Sequence, residues 1–199
     1  IAAELTFSRD VVQQAETQLT STDKVVAYFI GAAGLGKTSA SRQLLASLSR
    51  RGFSCWEHQA DHLLDAESWI AIAHHCEVNN IDAALFVDDA HLHLRAIDRI
   101  VDHLHAKKST RFRLLLAATP GKWNPRVKSP SIFRIGVEHS LKKLSRGEID
   151  SLLDLFDRNK DVAALVEASF SGFSRNEKLR RLAERCRADT FVCMKNIFA

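Results

Sequence analysis

The sequence is poor in cysteine, in proline and in long apolar runs. Its four cysteines, Cys55, Cys76, Cys186 and Cys193, are far apart and form no Cys-x-x-Cys pair, so neither a disulfide framework nor a zinc site is indicated. No stretch of about 18 apolar residues is present to span a membrane, and the N-terminus carries no basic segment followed by an apolar one. We therefore expect a soluble, cytoplasmic protein without a membrane partner.

The charge balance is only mildly basic. The 28 Lys and Arg residues exceed the 24 Asp and Glu residues by four, and the pI is near 9.0. Such a balance permits a nucleic-acid partner without requiring one. The length of 199 residues suits one α/β domain with a small helical appendage. Because the chain begins at Ile1 instead of Met and stays apolar up to Ala199, we expect it to be a piece of a longer protein.

Apolar segments alternate with helical patterns over the first two thirds of the chain. The predicted strands cover residues 24–30, 53–59, 83–87, 112–118 and 132–137, and the predicted helices cover 9–20, 36–50, 66–78 and 92–107. This alternation predicts an α/β fold with a parallel sheet covered on both faces. After residue 140 only helical stripes remain, one from Ile149 to Phe156, one from Val162 to Phe170 and one from Leu179 to Cys186. We expect a core over residues 1–138 and a helical lid over 139–199.

The first predicted strand runs directly into Gly31-Ala32-Ala33-Gly34-Leu35-Gly36-Lys37-Thr38. This is the spacing of a phosphate-binding loop, in which glycines let backbone N–H groups turn inward around a polyphosphate. Lys37 can reach the terminal phosphates, and the Thr38 hydroxyl can ligate Mg²⁺. The helix that starts near Gly36 adds a favourable dipole. We assign residues 31–38 and the adjacent Ser39 to nucleotide binding.

Polar residues follow two further predicted strands. Asp88 and Asp89 end the strand over 83–87. An acid at that place holds Mg²⁺ through its waters, which is the role predicted for Asp88. Asp89 stands where a general base or water-orienting carboxylate is needed, the alternative being a simple strand-ending turn. Thr119 follows the strand over 112–118 and can touch the γ-phosphate or the attacking water if that strand lies between the first and the third. As an alternative, Thr119 only forms the turn before Pro120.

Other charged and aromatic features have two or more interpretations. The loop over 120–130 holds all three prolines, an exposed-looking Trp123, and Arg126, which is either an arginine finger or a solvated connector. The third lid helix carries six cations, Arg175, Lys178, Arg180, Arg181, Arg185 and Arg187. They form a solvated face, a phosphate sensor or a nucleic-acid contact. We interpret the paired histidines around 91–105 as surface or packing residues, since residues two apart on a helix point to different faces.

Together these motifs resemble the STAND group of signalling NTPases, which are relatives of the AAA+ ATPases. The resemblance covers most of residues 5–160 and rests on the phosphate loop, on Asp88-Asp89 and on the segment 141–149 that leads into the lid. Phe7-x-Arg9 is similar to the motif that precedes the first strand in this group. In that motif, the side that carries the arginine lies near the base of the bound nucleotide. Many members carry an arginine where the fourth strand ends, and here Ala118-Thr119 occupies that place.

The resemblance implies a set of expectations about fold and function. The fold is a three-layer P-loop NTPase of the ASCE type with parallel sheet order 5-1-4-3-2, followed by the helical lid. The domain binds ATP or ADP with Mg²⁺, hydrolyses ATP slowly, forms homo-oligomers in the ATP state and is linked to effector and sensor domains, in some bacteria for defence against phage. A motor acting on nucleic acid and a nucleotide-bound scaffold without turnover remain alternatives. Adenine is favoured because no Asn-Lys-x-Asp motif for guanine is present.

Overall fold

The computed structural model describes Phe7 and residues 9–198. The chain divides into two compact units. Residues Val11–Ser140 form the first, which we call the core unit, and the described residues up to Asp10 together with those from Leu141 onward form the second, the helical unit. Among the described residues, no helix is both long and apolar enough to cross a lipid bilayer.

Strands and helices alternate along the core unit. In chain order they are α1 (Asp10–Ser21, whose first residue belongs to the helical unit), β1 (Val26–Ile30), α2 (Lys37–Arg50), β2 (Ser54–Glu57), α3 (Ala66–Asn79), β3 (Ala83–Val87), a 3₁₀ turn (Ala90–Leu92), α4 (Leu94–Ala106), β4 (Phe112–Ala118), α5 (Pro120–Trp123), α6 (Ser131–Ile135) and β5 (Gly136–Ser140). The strands form one sheet of order β2-β3-β4-β1-β5 with every neighbouring pair parallel. The predicted fold and strand order are confirmed.

The three central strands explain the sheet. Every residue of β1, β3 and β4 is buried, as expected for strands covered on both faces, and almost all are apolar. One face packs against α4, whose Ile97, Ile100, Val101 and Leu104 form a buried stripe. In the register, Ile30 lies opposite Ala118 and Val87 opposite Leu116. The carboxyl ends of β1, β4 and β3 therefore meet along one edge of the sheet.

The last part of the core unit differs from the prediction. The strand predicted over 132–137 is α6 followed by β5, which begins only at Gly136. Ile132 and Ile135 both pack against the core at a spacing of three, which is a helical and not an alternating pattern. Trp123 was expected to be exposed but is 2% exposed, with its ring 6.1 Å from that of Tyr28 and the Lys128 ammonium 5.0 Å above it.

The helical unit has its own apolar core. Its elements are α7 (Arg146–Arg158), α8 (Lys160–Ala163), α9 (Ala168–Ser171), α10 (Arg175–Arg180) continued by π-helical residues Arg181–Arg185, and α11 (Thr190–Phe198). Leu152, Phe156, Phe170 and Ile197 are among the side chains that pack together. The continuous helix predicted from Val162 to Phe170 is wrong, since α8 and α9 are separate turns. Asn159 caps α8, and the Glu167 N–H, in the break before α9, donates to the Ile197 carbonyl.

Candidate nucleotide site

The phosphate loop joins β1 to α2 at the carboxyl edge of the sheet. Gly34 has a φ of 79° and Gly36 a φ of 80°, the left-handed region that favours glycine. Gly36 is the N-cap of α2 and has no side chain to accept from the first N–H groups of the helix. These N–H groups and the positive end of α2 therefore face the position that a phosphate takes in loops of this kind.

The predicted binding side chains come together at this edge. Lys37 is 9% exposed, and its ammonium donates to the Ala32 carbonyl at 2.9 Å. The Thr38 hydroxyl donates to Asp88 Oδ2 at 2.6 Å, although the two residues are 50 positions apart. Asp88 Oδ1 accepts from the Asp89 N–H at 2.8 Å. A hydroxyl and a carboxylate in contact are the hard oxygen donors that Mg²⁺ prefers, so these residues fit that ion.

Asp89 is held by its backbone and not by its carboxylate. Its φ is 43°, a left-handed conformation that aspartate tolerates, and its carbonyl accepts from the Leu92 N–H at 2.8 Å. The side chain is 60% exposed, and Oδ1 lies 3.8 Å from Nδ1 of the buried His91. Burial lowers the pKa of His91, Asp89 opposes that shift, and the nearby cations Lys122 and Arg126 add to it.

The strand that precedes Thr119 has the position in the sheet that the predicted role of Thr119 requires. Its strand, β4, lies between β1 and β3. The half-buried Thr119 leads into α5, and its carbonyl accepts from the N–H groups of Lys122 and Trp123. Arg126, in the following loop, is exposed. The structure therefore brings Thr119 to the same edge as the phosphate loop and Asp88, while its contact with a γ-phosphate stays a prediction.

Three histidines at this edge were missed as site residues. His58 follows β2, and its backbone N–H donates to the Phe86 carbonyl at 2.8 Å. Its ring lies 4.8 Å from that of His93 in an edge-to-face arrangement. His91, which was predicted only to flank the helix over 92–107, belongs to the 3₁₀ turn Ala90–Leu92. A position beside a predicted helix does not orient this side chain towards Asp89, and the available signal is a histidine two residues after the acidic pair that ends a strand.

Arg9 lies in the helical unit. Its Nε donates to Glu148 Oε1 at 2.9 Å, and both side chains are buried. Glu148 also accepts from the backbone N–H groups of Asp10 and Ser145, each at 2.8 Å, and its own N–H donates to the Ser145 hydroxyl. This is a capping box at the start of α7 extended by an arginine. The predicted contact of Arg9 with a nucleotide base stays a prediction.

The cations of the third lid segment have acidic partners. Arg175 contacts Asp150, Asp154 and Asp157 of α7 at 3.3, 2.7 and 3.0 Å. Arg180 and Arg181 contact Glu177. Three of the six cations are thus ion-paired within their own unit, which fits the interpretation of this segment as a solvated helix face.

Comparison with known proteins identifies the family. Among solved structures, a DNA polymerase III gamma subunit-related protein from Thermotoga maritima matches with a TM-score of 0.52 and 11% identity, over 94% of this chain and 71% of that one. This likeness shows the fold alone. C. elegans PCH-2 matches with a TM-score of 0.49 and 15% identity, over 89% of this chain and 56% of that one, so the chain spans little more than half of its length. A search of curated proteins found no match.

A family model gives the more specific result. The model of Novel STAND NTPase 5 matches residues 1–130, about two thirds of the chain. The match includes the phosphate loop, Asp88, Asp89 and Thr119, the residues that the sheet brings to one edge. The chain therefore belongs to the Novel STAND NTPase 5 family.

Proposed function

We propose that this NTPase domain binds ATP with Mg²⁺ and hydrolyses it slowly, as a switch within a larger cytoplasmic signalling protein. The observation that carries the proposal is the 2.6 Å contact between Thr38 and Asp88, beside the buried Lys37 and the N-terminus of α2. It joins a phosphate-binding loop to a carboxylate with oxygen donors suited to Mg²⁺. Adenine is preferred in this proposal because the sequence has no Asn-Lys-x-Asp motif.

Each residue has a defined task in the reaction. The loop N–H groups and Lys37 bind the β- and γ-phosphates of the substrate, and Thr38 and Asp88 would hold Mg²⁺. When bound, that ion neutralises charge on the phosphate oxygens. Asp89 accepts a proton from water as the water oxygen attacks the γ-phosphorus and the bond to the bridging oxygen of ADP breaks. Thr119 hydrogen-bonds the γ-phosphate. The products are ADP and inorganic phosphate.

The switch depends on the γ-phosphate. A ligand shifts a conformational equilibrium only through different contacts in the two states. ATP and ADP differ in the group that Thr119 and Asp89 reach, so these residues supply the difference. We propose that the ATP state promotes self-association and that this controls effector and sensor domains outside this chain.

Nucleotide analysis and mass measurement test this function directly. The nucleotide that copurifies is identified, and the mass of the protein in solution is measured with ATP and with ADP. Asp89→Ala should keep ATP affinity within about threefold and reduce turnover by roughly 100-fold or more, the usual contribution of a general base. Asp61→Ala, which removes an 84% exposed carboxylate of the same unit, should change neither property. Unchanged turnover in Asp89→Ala, or an equal mass with ATP and ADP, contradicts the proposal.

The nucleic-acid alternative has no comparable observation in the described residues. In the loop after β4, the Lys128 ammonium donates to the carbonyls of Trp123 and Arg126. In the lid, Arg175, Arg180 and Arg181 form ion pairs with acidic residues of their own unit. Stimulation of turnover by DNA or RNA would nevertheless favour a motor over a switch.

A further inference from the structure

The carboxylate of Asp89 needs a fixed orientation to act as a base. The residues around it do little to fix that orientation. Its backbone is fixed by the 3₁₀ turn, while its side chain is 60% exposed. Among the described residues, His91 is the only one with a basic side-chain nitrogen within 4.0 Å of that carboxylate. The distance from Nδ1 to Oδ1 is 3.8 Å, about 1 Å longer than a hydrogen bond. A hydrogen bond between the two groups therefore requires movement of the Asp89 side chain, which is the exposed one of the pair.

His91 is held much more firmly than Asp89. Its side chain is 4% exposed, and the turn that carries it packs against β4 and α5. Its Nδ1 is buried without a hydrogen-bond partner among the described residues. Buried polar atoms are nearly always paired, so an unpaired one calls for an explanation. An acceptor lies 3.8 Å away, the carboxylate of Asp89, which is the predicted general base.

We propose that His91 is a positioning residue, whose Nδ1–H holds the Asp89 carboxylate in the orientation from which it accepts the proton of the attacking water. This inference rests on the proposed function, because it assigns a partner to the base of that reaction. His91 itself touches neither the water nor the phosphate in this proposal. Its role resembles that of any group that fixes the direction of a catalytic side chain without exchanging a proton.

The charges around His91 suit such a role. Asp89, Lys122 and Arg126 all lie close enough to the imidazole to influence its charge, and His93 is two residues away. Burial and the two cations lower the pKa of His91, which favours the neutral form of the ring. A neutral donor orients the carboxylate by a hydrogen bond and leaves it with the negative charge that a base requires.

Substitutions that place an amide N–H at the position of one ring nitrogen or the other test the proposal. The side-chain amide of Asn places its N–H the same number of bonds from Cα as Nδ1, whereas the amide of Gln reaches the place of Nε2. His91→Ala should lower kcat by about 10- to 100-fold, the effect of a misplaced catalytic group, while the Kd for ATP stays within about twofold. His91→Asn should recover most of the lost kcat, and His91→Gln should not. Equal kcat values for the Asn and Gln variants would overturn the proposal, and so would a kcat for His91→Ala within twofold of the parent.

A double-mutant cycle separates this inference from the proposed function. In an Asp89→Ala background, His91→Ala should cause no further loss of residual turnover, because the carboxylate that it orients is gone. Independent, multiplying losses would overturn the positioning role. If Asp89→Ala keeps parental turnover, the proposed function fails. If Asp89→Ala is inactive and His91→Ala is fully active, only the inference about His91 fails.

The tautomer of His91 gives a test that needs no turnover. In protein with ¹⁵N-labelled histidine, His91 should carry its proton on Nδ1, and Asp89→Ala should change its nitrogen signals while preserving those of His75, an exposed histidine on α3. A proton on Nε2 in the parent would overturn the proposal even if the His91 variants fold poorly.

Discussion

The core unit and the helical unit are both rich in charge, but they use it differently. In the helical unit, Glu148 pairs with Arg9 in the interior, and Arg175 pairs with three aspartates on the surface. At the carboxyl edge of the core sheet, Lys37 has a backbone carbonyl as its partner and Asp88 has a hydroxyl and a backbone N–H. We interpret the ion-paired charges of the helical unit as structural, whereas Lys37 and Asp88, which have neutral partners, fit the proposed binding of a charged nucleotide.

The topology explains this contrast. Parallel strands send all their carboxyl ends to one edge, so residues from distant parts of the sequence converge where the chain leaves the sheet. The described residues of the helical unit form helices and no parallel sheet, and their polar groups meet along helix surfaces and at helix caps. We therefore expect substitutions at the sheet edge to change ligand binding, and substitutions in the helical unit to change stability.

The largest expected effect is that of Lys37→Ala on ATP binding. The substitution removes a nearly buried charge that contacts the terminal phosphates in the proposed complex, a loss of about 2–5 kcal/mol or more, which abolishes binding at micromolar concentrations. Isothermal titration calorimetry measures it. Lys107→Ala, an exposed lysine at the end of α4, is the matched control and should bind normally. Equal ATP affinity in the Lys37 variant would remove the distinction between the two units.

Glu148→Ala should have the largest effect on stability. The substitution leaves Arg9 buried without its carboxylate and removes the acceptor of two backbone N–H groups, at a cost of about 3–5 kcal/mol. All three tryptophans, Trp56, Trp69 and Trp123, lie in the core unit. We therefore expect the circular-dichroism transition of the helical unit to move to lower denaturant while the midpoint of tryptophan fluorescence stays in place.

Its control is Glu184→Ala, which removes an exposed carboxylate of the same unit and should leave both transitions unchanged. Coincident shifts of circular dichroism and fluorescence in Glu148→Ala would mean that the two units unfold as one cooperative body. The stability of the helical unit could then not be separated from that of the core unit.

Much of the candidate nucleotide site at the carboxyl edge of the sheet could be predicted from the sequence, because local patterns determine the strands that end there. The strands over 83–87 and 112–118 have the predicted bounds, since each is a run of buried, mostly apolar residues. Once strand order is known, Asp88 and Thr119 must lie beside the phosphate loop. The sequence thus predicts where these backbones end, while the contact of Thr38 with Asp88 required the structure.

Other features depend on tertiary packing that no local pattern encodes. Ile132 and Ile135 are too few to distinguish one turn of helix from a strand, and only their burial against the core decides it. In the break between α8 and α9, the Glu167 N–H bonds to the carbonyl of Ile197, about 30 residues away along the chain. His91 was missed because its orientation depends on a 3₁₀ turn instead of a helix.

Acid should destabilise the core unit through His139 on β5. This side chain is 5% exposed beside Phe29, and burial lowers its pKa from 6.5 to about 4. Between these two values the unfolded chain takes up a proton that the folded chain does not, so stability falls as pH falls from 6.5 towards 4, by about 3 kcal/mol in total. Unfolding followed by tryptophan fluorescence at several pH values measures this loss. His139→Leu should flatten the dependence, and the exposed His75→Leu should not; a parent with constant stability over this range contradicts the prediction.

The smallest effect is expected from Arg175→Ala, although this arginine contacts three carboxylates. Both partners in each pair are largely exposed, so solvent and salt screen their attraction. Its removal should shift the circular-dichroism transition far less than Glu148→Ala does, and high salt should erase the difference from the parent. Arg185→Ala, an exposed arginine of the same segment, should behave like the parent at any salt concentration. If Arg175→Ala instead weakens ATP binding in calorimetry, this arginine senses the phosphate, and the rule that ion-paired charges are structural fails at its most heavily paired residue.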